Sequence, residues 1–180
     1  MPQTAEYDIT QVFNAPRELV WAAWTEPERF SRWFVPSSLA TPVGRITLDA
    51  RPGGVWRATL VGEEGFEATL EGTYREVEAP ERLVFTTGDP DDPGEGPASM
   101  VTIAFLEVDG KTEMRFHQYG VNTGEEHAQQ ARAGWLEFFD RLATHLEHAG
   151  TEHVKHTGAE PPLHLQQVEH AEQAGTERLE

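Results

Sequence analysis

The chain has 180 residues, no cysteine and a formal net charge of −17 at pH 7. Without cysteine there is no disulfide, thiol nucleophile or cysteine-ligated metal site, which fits a reducing compartment. The negative charge repels nucleic-acid phosphates and anionic lipid heads, so no nucleic-acid partner is expected. We find neither a secretory leader pattern nor a run of 18 apolar residues, and we predict a cytoplasmic protein without a membrane span.

The composition changes after Gly150. All five Trp, nine Phe and three Tyr residues precede it, and residues 1–150 are predicted to form one domain with its own core. Residues 151–180 contain six acidic residues, two adjacent prolines and few apolar residues. Because such a segment buries too little surface to offset its chain entropy, we predict a disordered acidic tail there.

The predicted elements begin with a strand and two short helices. The strand spans 7–13, and Pro16 then fits the first turn of a helix, where a missing N–H costs nothing. A second helix is predicted to start at a capping box, residues 25–28, and to end at Pro36. The apolar faces of the two helices comprise Leu19, Val20, Ala23, Trp24, Phe30, Trp33 and Phe34.

Six further strands and a long helix complete the pattern. The strands are predicted at 45–50, 55–60, 66–76, 83–87, 100–108 and 112–119, each bounded by turn residues. Asp109-Gly110 is the strongest hairpin signal, and short turns make neighbouring strands antiparallel. The last helix is predicted to open at a capping box, residues 123–126, and to stop at Gly150.

This order predicts an α+β fold in which a curved antiparallel sheet wraps around the long C-terminal helix and encloses a cavity. Strand alternation sorts the side chains into two faces. The face toward the helix holds Ala68, Leu70, Gly72, Tyr74, Val101, Ile103, Phe105, Met114, Phe116 and Gln118. The opposite face holds Glu67, Thr69, Glu71, Glu113, Arg115 and His117.

The apolar face supplies candidates for a ligand pocket. The predicted ligand-binding residues are Trp24, Phe34, Trp56, Leu70, Tyr74, Phe85, Phe105, Phe116, Gln118, Trp135 and Phe138. The polar tips of Trp56, Tyr74 and Gln118 would orient a ligand among apolar neighbours. The alternative is a filled core in which those tips bond to backbone groups. We expect Trp135, Phe138 and Leu142 to face the sheet, and Trp24 or Phe34 to close one end.

No catalytic constellation or cofactor motif is found in the sequence. His117 lies on the charged face without a patterned acid or nucleophile, so it is interpreted as solvated. His145, His148, His153 and His156 have spacing suited only to weak metal binding. The acidic loop 89–95 lacks the ligand pattern of a calcium loop. We therefore predict no metal, no cofactor and no catalytic residue.

Several segments in a fixed order resemble a known family. They are Phe13-Asn-Ala-Pro-Arg-Glu-Leu-Val-Trp-Ala-Ala-Trp-Thr-Glu-Pro-Glu28, Trp33-Phe-Val-Pro36, Asp49-Ala-Arg-Pro-Gly-Gly54, Glu71-Gly-Thr-Tyr-Arg-Glu-Val77, Pro80-Glu-Arg-Leu-Val84 and Gly134-Trp135. Together they resemble the bacterial family related to the C-terminal domain of the activator of heat-shock-protein-ninety ATPase, within the START-like, helix-grip superfamily. The resemblance implies a seven-stranded antiparallel sheet gripping the last helix, two short helices closing one end and a hydrophobic cavity.

The resemblance and the apolar face lead to three functional hypotheses. The first is a binding protein for a small hydrophobic or aromatic ligand, such as a lipid or polyketide-like metabolite. The second is an enzyme of the cyclase or aromatase kind, in which the pocket folds a reactive chain. The third is a module that interacts with a chaperone. An ordered polar pair in the cavity would favour the enzyme, and a large exposed apolar patch would favour the interaction module.

Overall fold

The computed structural model describes residues 5–88, 97–120 and 125–157. The chain divides into two units, Met1–Leu146 and Glu147–Glu180. The first unit contains all seven strands and both short helices. Three predicted features lie outside the described residues: the acidic loop 89–95, the start of the capping box at residues 123–124, and the tail from residue 158 onward. The boundary between domain and tail therefore stays a prediction.

The described elements confirm the α+β class. In chain order they are β1 Ala5–Phe13, α1 Arg17–Thr25, α2 Pro27–Trp33, β2 Ile46–Leu48, β3 Val55–Val61, β4 Glu67–Glu78, β5 Arg82–Gly88, β6 Pro97–Val108, β7 Lys111–Gly120 and α3 Glu125–Thr157. Two short helices follow the first strand, as predicted. Among the described helices, none is both long and apolar enough to cross a membrane.

The seven strands form one curved antiparallel sheet in the order β1-β7-β6-β5-β4-β3-β2. From β2 to β7 each strand pairs with its neighbour in sequence, because the connections between them are short. Asp109 and Gly110 both have positive φ, 52° and 79°, as a tight two-residue hairpin turn requires. The first strand then pairs with the last, placing Ile9 opposite Phe116.

The core lies between the sheet and the first unit's part of α3. Phe139, Leu142 and Leu146 on α3 are fully buried. The ring of Phe139 lies 5.3 Å from the ring of Phe116 on β7, in an edge-to-face arrangement. Apolar residues that recur at three and four positions therefore do form the packed stripe that the sequence predicts.

The predicted capping box at residues 25–28 is wrong. Thr25 is the last residue of α1, and its hydroxyl donates to the carbonyl of Trp21 at 2.9 Å. Glu26 occupies the N-cap position of α2 and makes no side-chain capping bond. The local pattern fails because a threonine hydroxyl can bond back to the preceding helical turn as well as forward to the next.

The predicted stop of the last helix at Gly150 is also wrong. The helix continues to Thr157, so residues 151–157 of the predicted tail are helical. Glycine lowers helix propensity by about 1 kcal/mol relative to alanine, which lowers the stability of a helix without terminating it. A glycine alone is therefore a weaker stop signal than a glycine followed by proline.

Candidate functional site

An open pocket of about 290 Å³ lies between α3 and the sheet. Four strands and two helix segments form its walls: β3, β4, β5 and β7, the end of α2, and the first half of α3. Its lining residues are Phe34, Trp56, Leu70, Glu71, Thr87, Gly88, Gln118, Ala131, Gly134, Trp135 and Phe138. The small side chains of Ala131 and Gly134 leave space on the helix wall, and large aromatic rings surround that space.

A second, smaller cavity lies deeper in the core. Its volume is about 10 Å³, close to the least that holds a single water molecule. The lining residues are Trp24, Phe30, Phe34, Leu48, Trp56, Tyr74, Leu83, Phe85 and Trp135. Phe34, Trp56 and Trp135 line both spaces, so these three rings separate the filled interior from the open pocket.

Packing fixes the positions of these rings. Phe34 lies 4.9 Å from Phe138 and 5.9 Å from Trp135 between ring centroids. The indole N–H of Trp56 donates to the backbone carbonyl of Thr86 at 2.8 Å. The polar tip of Trp56 therefore bonds to the backbone, as the filled-core interpretation expects.

A chain of polar side chains forms the other wall. The Gln118 amide oxygen accepts hydrogen bonds from the Trp135 indole N–H at 3.0 Å and from the Tyr7 hydroxyl. The Gln118 amide nitrogen donates to the Ser99 hydroxyl at 2.7 Å, and Ser99 is bonded to the Thr87 hydroxyl. This network connects β1, β7, β6, β5 and α3, and two of its members, Gln118 and Thr87, line the pocket.

Burial shifts the pKa of the tyrosine in this network. Desolvation raises the pKa of Tyr7 well above its usual value, and the positive charge of Arg132 opposes the rise only in part. Burial also raises the pKa of Tyr74, and the charge of Asp49 adds to the rise. A phenol is already protonated at neutral pH, and these shifts keep both hydroxyls protonated into alkaline solution, so Tyr7 remains a donor to Gln118 there as well.

Residues 14–147 match the family model described as activator of Hsp90 ATPase homolog 1-like protein. That match covers α1, α2, the strands β2 to β7, the first part of α3 and the pocket walls. The chain belongs to this AHSA1-like family. No curated protein matches the chain.

Solved structures of several bacterial proteins have the same fold. A protein of unknown function from Staphylococcus aureus, SA2116, superposes with a TM-score of 0.70 at 21% identity, covering 83% of this chain and 97% of that one. An AHSA1-like protein from Aeromonas hydrophila gives 0.65 at 26% identity, covering 80% and 94%. Protein CV1439 from Chromobacterium violaceum gives 0.67 at 24% identity, covering 82% and 99%. These similarities support the START-like, helix-grip fold.

The predicted ligand-binding residues of this AHSA1-like domain fall into three groups. The open pocket is lined by Phe34, Trp56, Leu70, Gln118, Trp135 and Phe138. Trp24, Tyr74 and Phe85 line only the small interior cavity. Phe105 and Phe116 line neither space, because Phe105 packs against Trp21 at 5.7 Å and Phe116 against Trp135 at 4.8 Å.

Sequence reasoning missed five lining residues, namely Glu71, Thr87, Gly88, Ala131 and Gly134. Thr87 shares the alternation of Leu83 and Phe85, so extending that strand pattern by one position would have found it. Ala131 and Gly134 precede Trp135 by four and one positions. Small residues next to an aromatic residue on a helix leave unfilled volume beside the ring, and this pattern could have indicated the pocket. Glu71 was assigned to the opposite face, yet it contributes to the rim of the pocket.

The outer face of the sheet has a different character. His117 is partly exposed there, and its ring nitrogens lie 2.9 Å from an Asp8 oxygen and 3.2 Å from a Glu6 oxygen. Within the described ranges, no group of three or more His, Asp or Glu side chains is arranged to hold a metal ion. The lining residues described at the candidate site offer apolar contact, hydrogen bonds from Gln118 and Thr87, and the carboxylate of Glu71 at the rim.

Proposed function

We propose that this AHSA1-like domain binds a small hydrophobic or aromatic molecule in the open pocket. The observation that supports this proposal is the pocket of about 290 Å³ bounded by Phe34, Trp56, Trp135 and Phe138. Burial of apolar surface contributes about 25 cal/mol per Å² before the cost of ordering is subtracted. A cytoplasmic location, expected from the sequence, is part of the same proposal.

The size of the pocket favours a compact ligand. Small-molecule pockets have volumes of about 300 to 1,000 Å³, and this one is at the lower end of that range. Its walls are flat rings that offer stacking surfaces. A polyketide-like ring system fits this description better than a long acyl chain, which would need a longer channel.

Two other functions remain hypotheses. The cyclase-like enzyme would use the ordered Gln118 and Thr87 side chains to hold a reactive chain. The chaperone-interacting module follows from the family name, because the family model describes relatives of an Hsp90 ATPase activator. The pocket geometry supports ligand binding best, and the same titration separates the three functions.

We expect a panel of flavonoids, polyketide mimics and fatty acids to contain ligands that shift the NMR signals of Trp56, Gln118 and Trp135. The signals of Glu113 and His117 on the outer face should not change. Because burial of apolar surface provides the affinity, binding should change little between low and high salt. Shifts confined to the outer face would contradict the pocket and favour the interaction module. Conversion of a bound polyketide mimic would favour the enzyme.

A matched pair of α3 variants tests the location of binding. Ala131 lines the pocket, and Ala133 is exposed two residues later without lining it. Ala131→Leu should weaken binding roughly 5- to 150-fold, because the larger side chain takes up pocket volume and overpacking costs roughly 1–3 kcal/mol. Ala133→Leu should leave the affinity unchanged. Equal affinities for the two variants, measured by calorimetry, would place binding elsewhere.

A further inference from the structure

The hydrogen bonds of Gln118 fix the orientation of its side-chain amide. The Trp135 indole N–H, 3.0 Å from the Gln118 oxygen, can only donate, so that atom must be the carbonyl oxygen. The Tyr7 hydroxyl is bonded to the same oxygen. Two donors from the protein therefore occupy both lone pairs of this oxygen, and it has no further capacity to accept a hydrogen bond from a ligand.

The amide nitrogen, in contrast, retains a hydrogen. One of its two N–H groups donates to the Ser99 hydroxyl at 2.7 Å, and the other has no partner among the described residues. The Ser99 hydroxyl accepts this bond and is also bonded to the Thr87 hydroxyl, and either of the two hydroxyls can be the donor in that second bond. Gln118 lines the pocket, so its second N–H is the donor that this polar wall offers to a ligand.

The charges around the pocket disfavour an anionic ligand. No lysine or arginine is among the lining residues that the structure describes. The charged lining residue is Glu71, and its carboxylate is paired with Arg57 at 2.7 Å. Arg132 acts electrostatically on Tyr7 but is not among the lining residues, so a ligand carboxylate would give up water without a cationic partner in the wall, and that transfer is costly.

We propose that the ligand is a neutral ring system with a carbonyl oxygen, a ketone, ester or amide, which accepts a hydrogen bond from the free N–H of Gln118. The ring then lies among Phe34, Trp135 and Phe138. This inference rests on the proposed binding function and adds the chemical class of the ligand. A hydrocarbon leaves the donor unsatisfied, and a carboxylate adds an uncompensated charge.

Three probes of similar shape test this inference with the unaltered full chain. They are 2-acetylnaphthalene, 2-ethylnaphthalene and 2-naphthoate, which carry a ketone, an ethyl group and a carboxylate on the same ring system. Calorimetry should show the ketone binding roughly 3- to 10-fold more tightly than the hydrocarbon, as expected for one net hydrogen bond. The ketone should also bind roughly tenfold more tightly than the carboxylate. In NMR spectra, only the ketone should shift the Gln118 side-chain amide proton downfield.

Two variants test whether the preference for the ketone over the hydrocarbon depends on Gln118. Gln118→Met retains the length of the side chain without the amide, and it should bind the ketone and the hydrocarbon equally. Since it also removes the partner of Tyr7 and Trp135, its fold is checked by circular dichroism. If it is unfolded, the Gln118 amide shift in the unaltered protein decides the question. Thr87→Val retains Gln118 and should preserve most of the ketone preference.

The outcomes separate this inference from the proposed function. Equal affinity for all three probes, or tightest binding of the carboxylate, would overturn the carbonyl inference while leaving a hydrophobic pocket in place. Binding of none of the probes at millimolar concentration would count against the proposed function, and the inference would be overturned with it. A ketone preference that persists in folded Gln118→Met would also overturn the inference.

Discussion

Replacing Phe139 by alanine is expected to lower the free energy of unfolding by about 3–5 kcal/mol. Phe139 is completely buried. Its ring centroid lies 5.3 to 6.4 Å from those of Phe116, Trp135, Trp24 and Trp33. These large, rigid rings come from the sheet, α1, α2 and α3, and they cannot collapse into the space that the substitution leaves. The loss should therefore lie toward the upper end of the range.

Urea denaturation followed by circular dichroism measures this loss, and Phe66→Ala is its matched control. Phe66 is 52% exposed, so its truncation removes little buried surface and should cost less than about 1 kcal/mol. The slope of free energy against urea should be unchanged, because the fold is retained. Similar midpoints for the two variants would mean that α3 does not pack on the sheet as described.

The strands and their pairing were predictable because their signals are local. Alternation placed Val101, Ile103 and Phe105 on the buried face, and all three are buried. Asp109-Gly110 specified its hairpin turn because few other residue pairs adopt positive φ at two successive positions. Short turns then left little freedom in the order of the strands from β2 to β7. The pairing of β1 with β7 joins the two ends of the strand order, and no local signal in the sequence predicted it.

The helix boundaries were harder to predict because local signals compete. Thr25 has the residue type of an N-cap, yet its hydroxyl bonds back to Trp21 within α1. Gly150 has the residue type of a stop, yet the helix passes through it. In both cases the same residue type is compatible with a helix terminus and with a helical position. The sequence pattern does not show which of the two conformations has the lower free energy.

The division of the apolar face into filled core and open pocket could not be read from the sequence. Periodicity identifies which residues face inward, and Trp24, Tyr74 and Gln118 all do. Whether an inward ring fills space or borders it depends on its neighbours from distant elements. Phe34 at the end of α2, Trp56 on β3 and Trp135 on α3 line both cavities. The packing of these three rings determines the boundary between the filled core and the open pocket.

Gln118 illustrates the same point for the polar wall. Its alternation with Met114 and Phe116 placed an amide on the apolar face, and a buried amide requires partners. Those partners are Tyr7, Ser99 and Trp135, which lie on three other elements. The sequence could thus predict a buried amide that needs hydrogen-bond partners. Only the fold shows which partners it has and that one of its N–H groups is left for a ligand.

Gly72→Ala is expected to be the most damaging single-methyl change in the sheet. Gly72 on β4 is paired with Trp56 on β3. An added Cβ would lie 1.7 Å from the backbone oxygen of Thr86 and 2.5 Å from the indole nitrogen of Trp56. These two atoms form a hydrogen bond of 2.8 Å with each other, so a methyl group can fit only if a backbone carbonyl and a buried ring both move.

We expect Gly72→Ala to lose more than about 4 kcal/mol of stability, a size reserved for disrupted cores and networks, or to fail to fold. Gly44→Ala is the matched control, because no atom beyond its neighbours in the chain lies within 4 Å of the Cβ it would add. That variant should remain within about 0.5 kcal/mol of the parent. Because Trp56 borders both cavities, any folded Gly72→Ala should also bind hydrophobic probes more weakly. A parent-like urea midpoint together with parent-like binding would show that the contact of Trp56 with Gly72 is not part of the folded structure.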